Sequence, residues 1–253
     1  MIEIITGQIG GGKSYYSAYR IVQELKKNRR VVTNTAINRK NIIDYLVKRK
    51  GGSPNFRLSY ARYLETLIIE LNDEQMFTFW DYGWHNSFFV LDELHLWFDQ
   101  NFFKMDAAQK LVRYLSQSRK GQDDLLLITQ NVNQLYVGFR RLANYFWHIH
   151  NPKGHPAFRF LPIPLPQAFI IHQFYGENPK PVYSNLMFPD KKIFSFYETM
   201  KKYQQIDKEK DKALLTKLNT GKDKKSAPYS TRSSNTDNDY VMVEHYRESP
   251  LGY

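Results

Sequence analysis

Residues Gly7-Gln8-Ile9-Gly10-Gly11-Gly12-Lys13-Ser14 constrain this chain more than any other stretch. They follow the spacing G-x-x-x-x-G-K-[ST], and their flanks give the match its meaning. Ile2-Glu3-Ile4-Ile5 before them is a short β-branched run, and residues 15–27 after them read as a helix. A strand, a glycine turn and a helix in that order make a cradle for phosphate. The glycines let successive backbone N–H groups turn inward, and the helix N-terminus adds partial positive charge. Lys13 is placed to reach the β- and γ-phosphates of a nucleotide, and the Ser14 hydroxyl to ligate Mg²⁺. All eight residues from Gly7 to Ser14 are therefore the expected nucleotide-binding set. The flanking strand and helix disfavour the alternative of a glycine turn that merely caps a helix.

Strands and helices are expected to alternate downstream. Val31-Val32-Thr33-Asn34, Phe88-Phe89-Val90-Leu91, Leu125-Leu126-Leu127-Ile128 and residues 145–150 read as strands. Residues 41–48, 60–71, 107–120 and 134–143 read as helices, with a loop at Gly51-Gly52-Ser53-Pro54; the aromatic stretch 77–84 resists assignment. This alternation implies βαβ units. The expected fold is an α/β P-loop NTPase with a mostly parallel central sheet flanked by helices, plus a disordered C-terminal tail. From about residue 151 prolines and aromatics dominate, with a strand over 168–174 and one last helix over 193–203. Residues 206–253 are rich in Lys, Ser, Asn and Asp and read as the disordered tail. The division expected is an ATPase domain over 1–205, its part after 150 a less regular extension, then the polar tail.

Cysteine is absent, which excludes disulfides, zinc–thiolate sites and a cysteine nucleophile. The chain enters its first strand at once, so no leader is expected. Its most apolar stretch, 158–174, is interrupted by Pro162, Pro164 and Pro166 and carries His172. A spanning helix needs about twenty apolar residues, so no transmembrane helix is expected. The net charge of +11 points to a polyanionic partner, nucleic acid or an anionic membrane surface. A merely basic solvated surface is the alternative.

The remaining chemistry sits at expected strand ends. The strand 88–91 ends in Asp92-Glu93, a Walker B pattern expected in the sheet beside the phosphate loop. Ligands of open α/β sheets bind at that carboxyl edge. Asp92 is placed to complete the Mg²⁺ shell and Glu93 to polarise the attacking water. Gln130 ends the next strand and reads as a γ-phosphate sensor or as a cap of the following helix. Arg119, just before that strand, reads either as an arginine finger from a neighbouring subunit or as a cation at a helix C-terminus. Arg140-Arg141 is a weaker finger candidate. His148 and His150 alternate on one strand, with His155 nearby; without a carboxylate partner they read as ordinary strand residues rather than metal ligands. His95 reads as a polar residue beside the site. No Asn/Thr-Lys-x-Asp box follows Gln130, which favours ATP over GTP.

Taken in order, Gly7 to Ser14, Val32-Thr33-Asn34, Val90-Leu91-Asp92-Glu93, Ser118-Arg119-Lys120-Gly121-Gln122-Asp123 leading into Leu127-Ile128-Thr129-Gln130, and Phe139-Arg140-Arg141-Leu142-Ala143-Asn144 resemble the zonular occludens toxin (Zot) domain. That domain is shared with the assembly ATPases of filamentous phages. The resemblance covers roughly residues 1–195, and its arginine-then-glutamine segment is the most specific part. The arrangement is also similar to the wider FtsK–HerA class of DNA-pumping ATPases, which implies Gln130 as sensor and an arginine near Arg119 as finger. The resemblance implies an ATP- and Mg²⁺-dependent motor for phage assembly or viral DNA translocation. It implies a homo-oligomeric ring, phage DNA and a membrane-embedded assembly partner, with the chain in the host cytoplasm or at the inner-membrane periphery. Phage assembly proteins usually carry a transmembrane helix after the ATPase domain; here prolines break the only candidate. The alternatives are a soluble DNA-packaging or DNA-binding ATPase, a small-molecule kinase, for which no arginine lid is visible, and a nucleotide-gated scaffold.

Overall fold

The computed structural model describes residues 1–98, 106–154, 167–176 and 180–197. The expected tail, His155 and the second half of the helix expected at 193–203 lie outside these residues. The first strand, β1 (Ile2–Thr6), runs into the glycine loop and then into α1 (Lys13–Lys26). Next come β2 (Arg30–Thr33), α2 (Arg39–Lys50), α3 (Pro54–Leu67) and β3 (Ile68–Glu70). Two short 3-10 turns occupy the unassigned aromatic stretch and lead to β4 (Ser87–Leu91). Then follow α4 (Asp106–Gln117), β5 (Asp124–Ile128), α5 (Val137–Leu142), β6 (Tyr145–His150), β7 (Phe169–Tyr175) and β8 (Tyr183–Met187).

The strands form one sheet in the order β3-β2-β4-β5-β1-β6-β7-β8. Pairings from β3 to β6 are parallel, while β7 and β8 extend the sheet antiparallel. The central strands are buried on both faces, as their unbroken apolar runs require. Ile5, Phe88, Val90, Leu126 and Ile128 face one core with α1, α2 and α3. Ile4, Phe89, Leu91, Leu125 and Leu127 face the other, with α4, α5 and the aromatic turns. Glu3 is the exception on β1: it is buried and takes a 2.7 Å ion pair from Arg20, tying the helix after the glycine loop to the strand before it.

Several boundaries differ from those the sequence suggests. The helix expected at 60–71 begins at Pro54, because Ser53 caps it by accepting from the Phe56 N–H and proline suits the first helical turn. Its expected end is instead β3, where Ile68 and Ile69 pair with Val31 and Val32. The helix expected at 134–143 splits into a 3-10 turn (Val132–Gln134) and the short α5. The helix expected from 193 opens as a 3-10 turn, Ile193–Phe196, after which Tyr197 bridges to Ile37. The strand order also corrects an expectation: β4 is not beside β1, because β5 lies between them. Among the described residues no helix is long and apolar enough to cross a membrane.

Candidate nucleotide site at the carboxyl edge of the sheet

Parallel strands put all their carboxyl ends on one edge, so β1, β2, β4, β5 and β6 deliver their following residues to a common place. The glycine loop after β1 is shaped at Gly7, Gly11 and Gly12 by contacts that leave no room for a side chain. A Cβ on Gly7 would collide with the Ile149 carbonyl of β6, and one on Gly12 with the ring of Phe169 on β7. Gly12 also takes φ 106°, a left-handed conformation that favours glycine. Lys13 is buried and donates to the carbonyl oxygens of Gly7 at 2.6 Å and Gln8 at 3.2 Å. Desolvation lowers its pKa, while the charges of Glu93 and Asp92 act in the opposite sense. Ser14 follows in the first turn of α1.

Asp92 leaves the end of β4 in a double clasp. Its N–H donates to Asn34 Oδ1 at 2.7 Å, and Asn34 Nδ2 donates to its carbonyl at 2.9 Å. Burial and then the neighbouring Glu93 charge push the Asp92 pKa up to about 6, against the pull of the Glu93 N–H and of Lys13. Glu93 itself has φ 48° and ψ 41°, a conformation that costs a non-glycine residue about 1–2 kcal/mol. Three contacts hold it there. Its N–H donates to Asp92 Oδ1 at 2.9 Å, Gln130 Nε2 donates to its Oε1 at 3.1 Å, and His95 Nδ1 lies 3.3 Å from its Oε2. That Oε2 is buried and accepts no hydrogen bond among the described residues. Strained backbone and a buried oxygen without a donor among the described residues are features that cluster at functional sites.

The insertion of β5 between β1 and β4 explains the position of Gln130. Following β5, it stands between the loop after β1 and the acids after β4. A cleft of about 660 Å³ is lined by Gly7, Gln8 and Ile9 of the glycine loop, by Gln130, Asn131 and Asn133 after β5, and by Thr6 and His148. Burial, then His172 and Lys13, hold the His148 pKa below its ordinary value. The oxygen donors of Ser14 and Asp92, beside a second carboxylate, suit a hard cation such as Mg²⁺. Among the described residues no group of three or more His, Asp or Glu side chains is arranged to hold a metal ion by itself.

Arg119 is not brought to this cleft. It is exposed at the opposite, amino edge of the sheet, in a hollow with Met1, Arg29 and Asp124. Arg140 lies nearer, donating to Asn133 of the cleft wall at 3.2 Å. Sequence reasoning missed the work of Asn34, Phe169 and His148. Asn34 was findable, since a carboxamide ending a buried strand is the same signal that singled out Gln130. The other two approach from strands whose places in the sheet no local pattern reveals.

A glycine loop between a strand and a helix, acids ending a parallel strand, and a glutamine on the strand between them define a P-loop NTPase fold. Residues 1–155 match the family model described as zonular occludens toxin (Zot), and the chain belongs to that family. Among solved structures, it is similar to the N-terminal domain of zonular occludens toxin from Neisseria meningitidis, at 19% identity over 78% of this chain and 98% of that one, TM-score 0.47. The genome-packaging NTPase B204 from Sulfolobus turreted icosahedral virus 2, solved with ATP-gammaS, matches at 14% identity over 74% and 96%, TM-score 0.43. The RadB recombinase matches at 10% identity over 73% and 85%, TM-score 0.44. No curated protein matches the sequence.

Proposed function

We propose that this chain is an ATP-hydrolysing motor that moves viral DNA during filamentous phage assembly or extrusion. The observation that carries the reading is the Gln130–Glu93 contact at the same edge as Lys13, close enough that the charges of Glu93 and Asp92 act on the lysine. The loop N–H groups and Lys13 bind and neutralise the β- and γ-phosphates. Glu93 accepts the proton of the attacking water, and Gln130 holds Glu93 in position and senses the γ-phosphate. Mg²⁺, held by Ser14 and Asp92 when bound, draws charge from the phosphate oxygens. ATP is preferred over GTP, for want of a guanine box after Gln130.

On this reading Arg119 serves a neighbouring subunit, since at the amino edge it lies away from the nucleotide of its own chain. That makes the working form a homo-oligomer, with a ring as the natural closed arrangement. The surplus of cations supports a nucleic-acid partner. On the same reading, the motor works with a membrane-embedded assembly partner at the inner membrane. Phosphate release measured with ATP and GTP, with and without single- and double-stranded DNA, tests the reading. Turnover of ATP that DNA changes and that Lys13→Ala abolishes is the expected result. Equal rates in Lys13→Ala and wild type would overturn it.

A further inference from the structure

A second concavity lies on the α1 face of the sheet, away from the nucleotide cleft, and seven of its sixteen lining residues are aromatic. It measures about 470 Å³ and runs between α1, α2 and the antiparallel strands β7 and β8. Tyr16 and Tyr19 of α1 stand beside Trp147 of β6, with ring centroids 6.3 Å apart for the tyrosine pair and 6.1 Å for Tyr16 and Trp147. Tyr183 of β8 forms the opposite wall and is half exposed, at 50%. Tyr16 closes against the core, Tyr19 and Trp147 are half-buried beside it, and Tyr183 with Phe188 leaves ring surface open to the groove.

Two cations stand at its rim. Lys26 is exposed and forms no ion pair among the described residues. Arg49 is exposed, lies over the Tyr45 ring at 5.8 Å and donates to the Tyr45 hydroxyl at 3.1 Å, which orients its guanidinium. Asp190 is the one acid in the lining. Aromatic walls with a basic rim match the surfaces that hold single strands, where unpaired bases stack and cations track the backbone. A duplex keeps its base faces internal and gains nothing from the rings.

We propose that this groove binds a single strand of nucleic acid, its bases against Tyr19, Trp147 and Tyr183 and its phosphates against Lys26 and Arg49. The proposal rests on the reading of the chain as a DNA motor and gives that motor a track. The groove and the nucleotide cleft share one rigid element: α1 begins at Lys13 and presents Tyr16, Tyr19 and Lys26 to the groove further along. At the loop end, Phe169 lies against Gly12 and its ring is 5.2 Å from that of Tyr15. Any movement of α1 on nucleotide turnover would therefore be felt in the groove.

Fluorescence anisotropy of the full chain with a labelled oligothymidylate of about 16 nucleotides, and with a duplex of equal length, tests this. The single strand should bind more tightly than the duplex. Tyr183→Ala should weaken single-strand binding about tenfold, whereas Tyr183→Phe, which keeps the ring, should stay within about twofold. Arg49→Glu should weaken it and lower the salt slope by about one phosphate contact. Circular dichroism confirms that each variant is folded. Wild-type affinity in both Tyr183→Ala and Arg49→Glu, a preference for duplex, or no binding by the wild type at low salt would each overturn the proposal. Hydrolysis without nucleic acid, and its loss in Lys13→Ala, is read separately, so a failed groove leaves the ATPase result standing.

Discussion

The two edges of the central sheet treat charge in opposite ways. At the amino edge, Arg29 Nη1 takes Glu24 at 2.9 Å and Asp124 at 2.7 Å, while its Nη2 donates to the carbonyls of Ser87 and Gln122. The N-terminal ammonium completes the knot on Asp124 at 2.6 Å, and Asp123 accepts from the Ser87 N–H and the Tyr114 hydroxyl. At the carboxyl edge, among the described residues, Lys13 donates to loop carbonyls, and Glu93 is strained, with an Oε2 that lies 3.3 Å from His95 Nδ1 but accepts no hydrogen bond. Charges satisfied by one another hold strands in register; charges left without full partners are available to a substrate. Apart from Arg29 Nε, which is buried without a partner among the described residues, the pairing of charges separates the edge that stabilises from the edge that carries the candidate site.

The sharpest way to break this comparison is to remove one charge from the reactive edge. Glu93→Gln should slow hydrolysis by about 10²–10⁴-fold, the usual contribution of a general base. Nucleotide binding, followed with a fluorescent ATP analogue, should persist, because the amide keeps the shape of the side chain. Hydrolysis at the wild-type rate would show that the strained carboxylate is not the base. Arg119→Ala tests the one exposed amino-edge cation proposed to act in catalysis. It should lose turnover at least about tenfold, below the full range of an arginine finger, while stability stays within about 0.5 kcal/mol. Mixing it with Lys13→Ala protein should restore part of the rate at hybrid interfaces. If mixing restores nothing and Arg140→Ala proves the more damaging change, the finger is the arginine beside the cleft.

An equivalent deletion at the amino edge should act on stability instead. Arg29→Ala removes the cation that Glu24 and Asp124 share but leaves Glu24 its 2.7 Å pair with Lys27 and Asp124 its 2.6 Å pair with the N-terminal ammonium, so the loss should be about 1–2 kcal/mol, below the scale of a buried charge left unpaired. Urea unfolding should show a lower midpoint with nucleotide affinity unchanged. An altered affinity at unchanged stability would mean that the two edges are not separable.

What could be read in advance follows the same division between local and distant causes. The strands 88–91 and 125–128 were legible because burial on both faces makes them continuous apolar runs. The phosphate loop was legible because its eight residues are contiguous. β8 was not, since Tyr183-Ser184-Asn185-Leu186-Met187 is almost wholly exposed and carries no core face. The start of α3 was misread because Ser53 and Pro54 are turn residues and helix-start residues alike. The place of β5 between β1 and β4 was not legible at all, because strand order is a property of the whole sheet. That order is also what brings Gln130 to Glu93.

The smallest effect expected is also the finest test of the amino-edge knot. Burial disfavours the Asp124 carboxylate, yet hydrogen bonds from the N-terminal ammonium and from Arg29 outweigh it and hold its pKa below the ordinary value. A carboxylate with a depressed pKa in the folded state binds its proton less readily than in the unfolded chain. Its contribution is therefore fully present above the unfolded value of about 4 and is lost as pH falls through the lower folded value. Asp124→Asn removes the titration while keeping a polar group of the same size. Thermal unfolding between about pH 6 and pH 2 should then show the wild type losing its advantage over Asp124→Asn as acid is added, by about 1.4 kcal/mol per unit of pKa depression. A difference that stays constant across that window would show that Asp124 contributes by shape and neutral hydrogen bonding rather than by charge, and the electrostatic contrast between the two edges would lose its stabilising half.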